Sequence, residues 1–318
     1  MPTNQQILTK ESTIATIKKN LDIPMATSDA EAFLVDTINN ASTLPKLQPI
    51  YRDVPAGNID TLSVGRRKIR QAGKNDTPTG TGAIANRQIP YAVKKVKWDE
   101  WLQNDDVYYS ISARGDNVEQ KVISMIQQQF GVDLQDLIFN GDTAATTLAE
   151  DGTTTIPDPF LSILDGFVKK MKQSPYKTDL AANEPTILDF VNHIQLLPER
   201  YKSFSDITWF ITQKTNDKLV AMVSQRQTGF GDAVLQNGKI TRLAGYPVEV
   251  VAEMQSGFAA LTPMSNLKPV FTRQLRYIRT ADGATAAAKD ATYHVLYAYL
   301  DAIVREVDAV AWMNGDKL

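Results

Sequence analysis

The stretch from Asp116 to Asn140, DNVEQKVISMIQQQFGVDLQDLIFN, limits the folds open to this chain more than any other. Apolar residues stand at Val118, Val122, Met125, Ile126, Phe130, Leu134, Leu137 and Ile138. Steps of three and four lay them along one face of a helix. Asp116 is placed to cap the first turn, with Glu119 completing a capping box. Asn140-Gly141 predicts a left-handed stop just past the last apolar position. At 1.5 Å per residue such a helix is about 34 Å long. Gly131 interrupts it at a cost of roughly 1 kcal/mol against alanine and marks a point where it could bend. The opposite face carries Gln120, Ser124, Gln127, Gln128 and Gln135, with few charges. A long solvated helix normally carries charge there, so this is either a core helix with a mild polar face or a helix whose back also meets protein.

A chain of 318 residues has room for two domains or one large one, and 43% hydrophobic with 22% charged residues defines a globular chain. The formal net charge is −2, so bulk charge does not argue for tight nucleic-acid binding. There are no cysteines, which removes disulfides, thiolate metal sites and cysteine nucleophiles together. The N-terminal MPTNQQILTKEST lacks an apolar signal core, and no apolar run reaches membrane-spanning length.

Read in order, the chain opens with two short amphipathic pieces. One lies at Ile14 to Leu21 and is interrupted by Ile23-Pro24. The other is capped by Ser28-Asp29-Ala30-Glu31 and runs through Phe33, Leu34 and Ile38. Neither buries an apolar face alone, so this arm must dock on its own body or on a neighbour. Ile59, Leu62 and Val64, then Ile89 to Val93, read as the strands of a long hairpin around a Gly- and Thr-rich tip. An isolated hairpin is marginal in water and wants a partner surface. This excursion is basic, with Arg66, Arg67, Lys68, Arg70 and Lys74, then Lys94, Lys95 and Lys97. Those cations are either a solvated guard against edge pairing or an electrostatic contact with another chain or with phosphate.

Trp98-Asp99-Glu100-Trp101 reads as a charged lead into the long helix. A loop is expected over 142–159, then a helix through Phe160, Ile163, Leu164, Phe167, Val168 and Met171. A further helix opens at Pro185, with Leu188, Val191, Ile194 and Leu196 inside it. Ile207 to Ile211 is a buried-type strand, and Thr215-Asn216-Asp217 starts another helix. Asn237-Gly238 is a strong hairpin turn, and Gly245-Tyr246-Pro247 a break between strands. The block 160–255 is thus a mixed α/β lobe. Val270 to Thr272 and Leu275 to Ile278 are strands, followed by an alanine-rich turn. Thr292 to Trp312 is one long apolar run of strand character that returns to the long helix.

Nothing in the sequence spells catalysis. The two histidines, His193 and His294, sit in no motif and read as structural. Gly229-Phe230-Gly231-Asp232 lacks the third glycine and the setting of a dinucleotide loop. No cofactor and no metal is expected.

The order of parts resembles the major capsid proteins of tailed bacteriophages with the Hong Kong 97-like fold. The resemblance rests on three passages: the helix ending in Phe139-Asn140-Gly141-Asp142; Trp209-Phe210-Ile211 with the helix at Thr215 and Leu243-Ala244-Gly245-Tyr246-Pro247-Val248; and the β-rich return from Leu267-Lys268-Pro269. It implies an α+β fold with an N-terminal arm (1–45), an extended β-hairpin loop (46–97) and a peripheral domain with a long spine helix (98–160). An axial α/β domain (161–265) and a β-rich return to both domains (266–318) complete it. It also implies a non-enzymatic subunit that self-assembles into hexamers and pentamers of an icosahedral shell around double-stranded DNA. Assembly would take place in the host cytoplasm, with separate scaffolding, portal and decoration proteins as partners and only weak DNA contact. By this resemblance Arg66, Arg67, Lys68, Arg70 and Lys74 become intersubunit contact candidates. The Lys–Asn crosslink of some family members would draw on Lys68 or Lys74 and Asn314, but the motif is not matched. An encapsulin-type nanocompartment shell, or a soluble α+β enzyme, is the alternative.

Overall fold

The computed structural model describes residues 21–24, 35–39, 41–64, 84–103, 118–149, 153–180, 183, 185–224, 235–236, 239–273, 275–281 and 283–315. The long helix is present and continuous from Val118 to Asn140. Among the described residues, two six-stranded sheets and three two-stranded ribbons accompany it.

The first sheet is organised on Ala291–Val304, a 14-residue strand. One of its edges pairs antiparallel with Lys94–Gln103, from Ala291↔Gln103 to Leu300↔Lys94. The other edge pairs with Arg276–Thr280 and then with Leu267–Thr272. Leu21–Pro24 and Ile50–Arg52 extend these two in turn. Trp98 to Trp101 therefore lie in a strand, not in the lead to a helix. Trp101 packs on Tyr293 with ring centroids 4.6 Å apart, and the Tyr293 hydroxyl donates to Asp99. A partner strand almost two hundred residues away overrides the local charge pattern.

The second sheet has the order Arg242–Leu243, Tyr246–Val251, Ile207–Thr212, Phe258–Pro263, Ala311–Asn314, Lys177–Asp179. Tyr246–Val251 runs parallel to Ile207–Thr212, and Phe258–Pro263 antiparallel to it. All six residues of Ile207–Thr212 are buried. The period-2 pleat sends Trp209 and Ile211 into one core and Phe210 into another. A sheet covered on both faces calls for an uninterrupted apolar run, which is how this strand reads. Phe190 meets Trp209 edge-on at 4.8 Å in the smaller core. The larger core joins Phe130, Leu134, Leu137, Ile138 and Phe139 of the long helix to Leu296, Leu300 and Trp312.

Several expectations shift. The run Thr292 to Trp312 is two strands in two sheets, parted by a 3-10 turn at Val307–Ala309. The helix expected from Phe160 to Met171 is a 3-10 turn at Leu161–Ile163 and a short helix at Phe167–Met171. The stretch between them is pressed against the end of the long helix. The helix after Pro185 spans Ile187–His193, with Thr186 and Asp189 forming its capping box. Its buried side is Phe190 and His193, whereas Leu188, Val191 and Leu196 face outward. The loop expected over 142–159 contains a ribbon, Thr146–Leu148 against Thr155–Pro157. The alanine-rich turn is a helix, Ala284–Lys289. At Ala244-Gly245 the chain makes a two-residue hairpin, both residues at positive φ (48° and 91°), between Leu243 and Tyr246. Gln236 and Lys239 pair across the predicted turn, while Asn237 and Gly238 themselves lie outside the described residues.

Candidate functional site: the hairpin and the long helix

The hairpin forms as the alternation predicts. Ala56–Val64 pairs antiparallel with Ile84–Ala92, from Ala56↔Ala92 to Val64↔Ile84. Its root is packed: Ile89 and Tyr91 join Val270 and Ile303 in a small core, with Ile50, Ile59 and Val93 against it. Two hydrogen bonds pin the return strand. The Ala92 amide donates to Asp301 Oδ2 at 3.0 Å, and the Val93 amide to the Pro55 carbonyl at 2.9 Å. Asp301, 9% exposed, also receives Lys170 Nζ at 3.3 Å, so its charge is not left uncompensated. Core packing thus holds the root, and the ladder carries the strands onward toward 65–83.

The candidate cations divide. Arg66, Arg67, Lys68, Arg70 and Lys74 lie outside the described residues. Lys94, Lys95 and Lys97 are exposed on Lys94–Gln103, the strand that borders the first sheet. Lys95 lies over the Tyr297 ring at 4.3 Å, and Lys97 pairs with Asp99 at 3.1 Å. Lysines on an edge strand discourage sheet-to-sheet pairing.

Of the uncharged back of the long helix, Gln135 meets the chain's own N-terminal segment, Gln127 is half-buried, and Ser124 and Gln128 are exposed. Residues 35–39 are helical, and Ile38, Ala41, Leu44 and Leu47 enter the larger core. Gln135 is 1% exposed and works as a hub. Its Oε1 accepts the Thr43 amide at 2.8 Å and the Leu44 amide at 3.3 Å; its Nε2 donates to Ser42 Oγ at 3.0 Å and to Glu253. Lys46 adds an ion pair to Glu249 at 2.6 Å. Gly131 is the crossing point, since a Cβ there would stand 2.5 Å from the Thr37 carbonyl oxygen. The glycine serves close approach, and the helix runs on through it unbroken. Met125, assigned to the apolar stripe, is 57% exposed. Asp116 and the proposed cap lie outside the described residues.

The stop at Asn140-Gly141 is real but not left-handed. Gly141 and Gly166 press backbone to backbone, the Gly166 amide donating to the Gly141 carbonyl at 2.7 Å. Asn140 ties the helix end to the second sheet, donating to the Glu253 carbonyl and accepting the Gln255 amide at 2.8 Å. Beside it, Lys169 bridges Asp142 and Asp165, both at 2.7 Å. Against the cost of its partial burial, these bonds hold the Asp165 carboxyl down to about 2.

The histidines are separate and structural. His193 packs near Trp209 and bonds Thr178 Oγ1 through Nδ1 at 2.8 Å; His294 sits in the other sheet against the Tyr277 hydroxyl. Burial lowers both to about 4; a backbone bond at Ala311 partly opposes this at His193, and the Arg279 charge adds to it at His294. The unfolded chain therefore takes up protons first as the pH falls. The stability from keeping these rings neutral is complete above about pH 6.5 and drains away toward pH 4. The melting temperature is expected to fall steadily from pH 7 to 4.5, and His193→Gln to flatten part of that slope. A level profile in wild type would count against buried neutral histidines.

Asn314 is 5% exposed in the Ala311–Asn314 strand, opposite Phe258. A neighbour's lysine would have to displace that strand to reach it. Among the described residues no helix is long and apolar enough to cross a membrane.

A long helix beneath one sheet, a protruding hairpin and a second sheet buried on both faces together define the Hong Kong 97-like class of shell subunits. Residues 115–315 match the phage capsid family, and the chain belongs to that family as a major capsid protein of an icosahedral shell. It is 24% identical over 324 residues, 97% of each chain, to the "Putative prophage capsid protein YqbE" of Bacillus subtilis (strain 168). Among solved structures it superposes on a chain of the "Satellite phage P4 procapsid including size determination (Sid) protein". There the TM-score is 0.67 at 11% identity, covering 99% of this chain and 98% of that one. A chain of a virus-like particle from Pyrococcus furiosus shares the fold at TM-score 0.51 and 9% identity, over 89% and 96% of the two chains. The family match favours the phage shell over the nanocompartment and soluble-enzyme readings. As a member of the phage capsid family, the protein has its place in the virion shell.

Proposed function

We propose that the capsomers are hexamers and pentamers closing around double-stranded DNA, with the hairpin reaching over a neighbouring copy. The first sheet and the long helix form the peripheral domain of this subunit. The second sheet forms its axial domain, residues 1–45 its arm and 46–97 its extended loop. The observation that carries this reading is the hairpin itself, a ribbon with nine residues in each strand and apolar packing at its root. A two-stranded ribbon does not stabilise itself in water, and a neighbour's surface supplies what it lacks. Arg66, Arg67, Lys68, Arg70 and Lys74 are the contact candidates at its far end. Assembly takes place in the host cytoplasm, with scaffolding, portal and decoration supplied by separate proteins and DNA touched weakly.

The test is charge reversal. Replacing Arg66, Arg67 and Arg70 by Glu should cut the assembled fraction in sedimentation several-fold and leave the monomer's circular dichroism and melting unchanged. Assembly at wild-type yield would remove the intersubunit role.

A further inference from the structure

A cleft of about 340 Å³ opens where the root of the hairpin faces the body. Thr61 and Arg87, opposite each other across the hairpin ladder, form one wall. Phe204, Asn266, Arg305 and Glu306 contribute the other side. The floor is fixed: Asn266 accepts the Glu306 amide at 2.7 Å and donates to the Glu306 carbonyl at 2.9 Å. The cleft's own carboxylate is engaged elsewhere, since Glu306 takes the Tyr201 hydroxyl and stands 3.6 Å from Arg200.

The two arginines are left over. Neither Arg87, which is exposed, nor Arg305, which is half-buried, forms an ion pair among the described residues. Thr61 Oγ1 is buried with no hydrogen-bond partner. Phe204 stands 49% exposed beside them. Lys268, buried and bonded to the Leu47 carbonyl and Gln48 Oε1, lies close enough to Arg305 to feel its charge. Two guanidinium forks, a free hydroxyl and an aromatic edge complement a carboxylate on a short side chain.

We propose that this cleft receives an Asp or Glu side chain from a second copy of the chain, held by Arg87 and Arg305. This rests on the shell reading above. A second copy is the occupant because this family assembles from copies of itself, and two guanidinium groups without an ion pair among the described residues call for a carboxylate. The cleft also spans hairpin and body, so an occupant fixes the angle at which the hairpin leaves.

The double variant Arg87→Glu, Arg305→Glu should lose at least tenfold in assembled fraction while the monomer's melting stays within about 2 °C of wild type. A second experiment identifies the occupant. Shells of R87K/R305K protein, mixed from copies with natural and heavy nitrogen, are treated with a carbodiimide and read by mass spectrometry. The expected product is an amide joining position 87 or 305 of one copy to an Asp or Glu of the other isotope. Wild-type yield from the double glutamate variant, or crosslinks only within one copy, would overturn the proposal. So would a defect confined to DNA-filled particles, which would assign the cleft to phosphate. Failure of the wild-type chain to form shells would instead overturn the shell reading on which this one stands.

Discussion

Gly166→Ala should destabilise the subunit by about 3 kcal/mol, at the severe end for a single added methyl. A Cβ at Gly166 would lie 2.7 Å from the Ile138 carbonyl oxygen and 2.8 Å from both the Gly141 nitrogen and the Phe139 carbonyl oxygen. All three are backbone atoms, so no side chain can rotate away. The added methyl forces apart the last turn of the long helix and the Phe167–Met171 helix. Phe139 and Phe167 meet edge-on between them at 5.3 Å and would part as well. For a chain of this size the loss corresponds to a melting temperature lower by roughly 4–5 °C. Gly245→Asn is the control: nothing stands within 4 Å of a Cβ there, and its φ of +91° is one that asparagine tolerates better than most residues. Equal melting of the two variants would show that the glycine crossing is not tight.

Gln135→Leu should release the N-terminal segment without unfolding the body. Leucine fills a comparable volume but strands the Thr43 and Leu44 amides, and it leaves Glu253 without its amide donor. Each buried group left unsatisfied costs about 1–3 kcal/mol. The cost falls on 41–47, the segment whose amides Gln135 satisfies, and is expected as local opening before global unfolding. Hydrogen exchange at Thr43 and Leu44 is expected to accelerate about a hundredfold, equivalent to about 3 kcal/mol, while exchange in Ile207–Thr212 stays at its wild-type rate. Unchanged protection at 43 and 44 would mean that Leu44 and Leu47 hold the segment by packing alone. In a shell this loosening would also expose the surface that the segment now covers, so assembly and exchange should be followed in the same preparation.

Much of the molecule can be read from local pattern. The hairpin follows from alternation on either side of a Gly- and Thr-rich stretch. The long helix follows from three–four spacing, and Ile207–Thr212 from an unbroken apolar run. The family resemblance grew from the order of those parts. What failed was decided at a distance. Trp98 to Trp101 looks like a helix lead until Ala291–Val304 supplies a partner strand. Thr292 to Trp312 looks like one element until Val307–Ala309 turns it from one sheet into the other. Leu188 and Val191 look interior because they are apolar, yet Phe190 and His193 take the inner side of that helix. The cleft at the hairpin root left no trace in sequence, because Arg87 and Arg305 meet only through the fold.

The long helix holds both lessons. Its existence and its end at Asn140 were settled by spacing and by Asn140-Gly141, because helix periodicity is a local property of side chains on one backbone. Among the described residues, its uncharged back is covered only at Gln135, while Ser124 and Gln128 face outward. Which surface covers it was decided only in three dimensions. Gln135 is a buried hub, and Gly131 a crossing point rather than a bend, because Thr37 passes Gly131 and Thr43 and Leu44 pass Gln135. Hydrogen-bond partners and backbone clearances between segments nearly a hundred residues apart depend on the packed whole, and no window of sequence contains both sides.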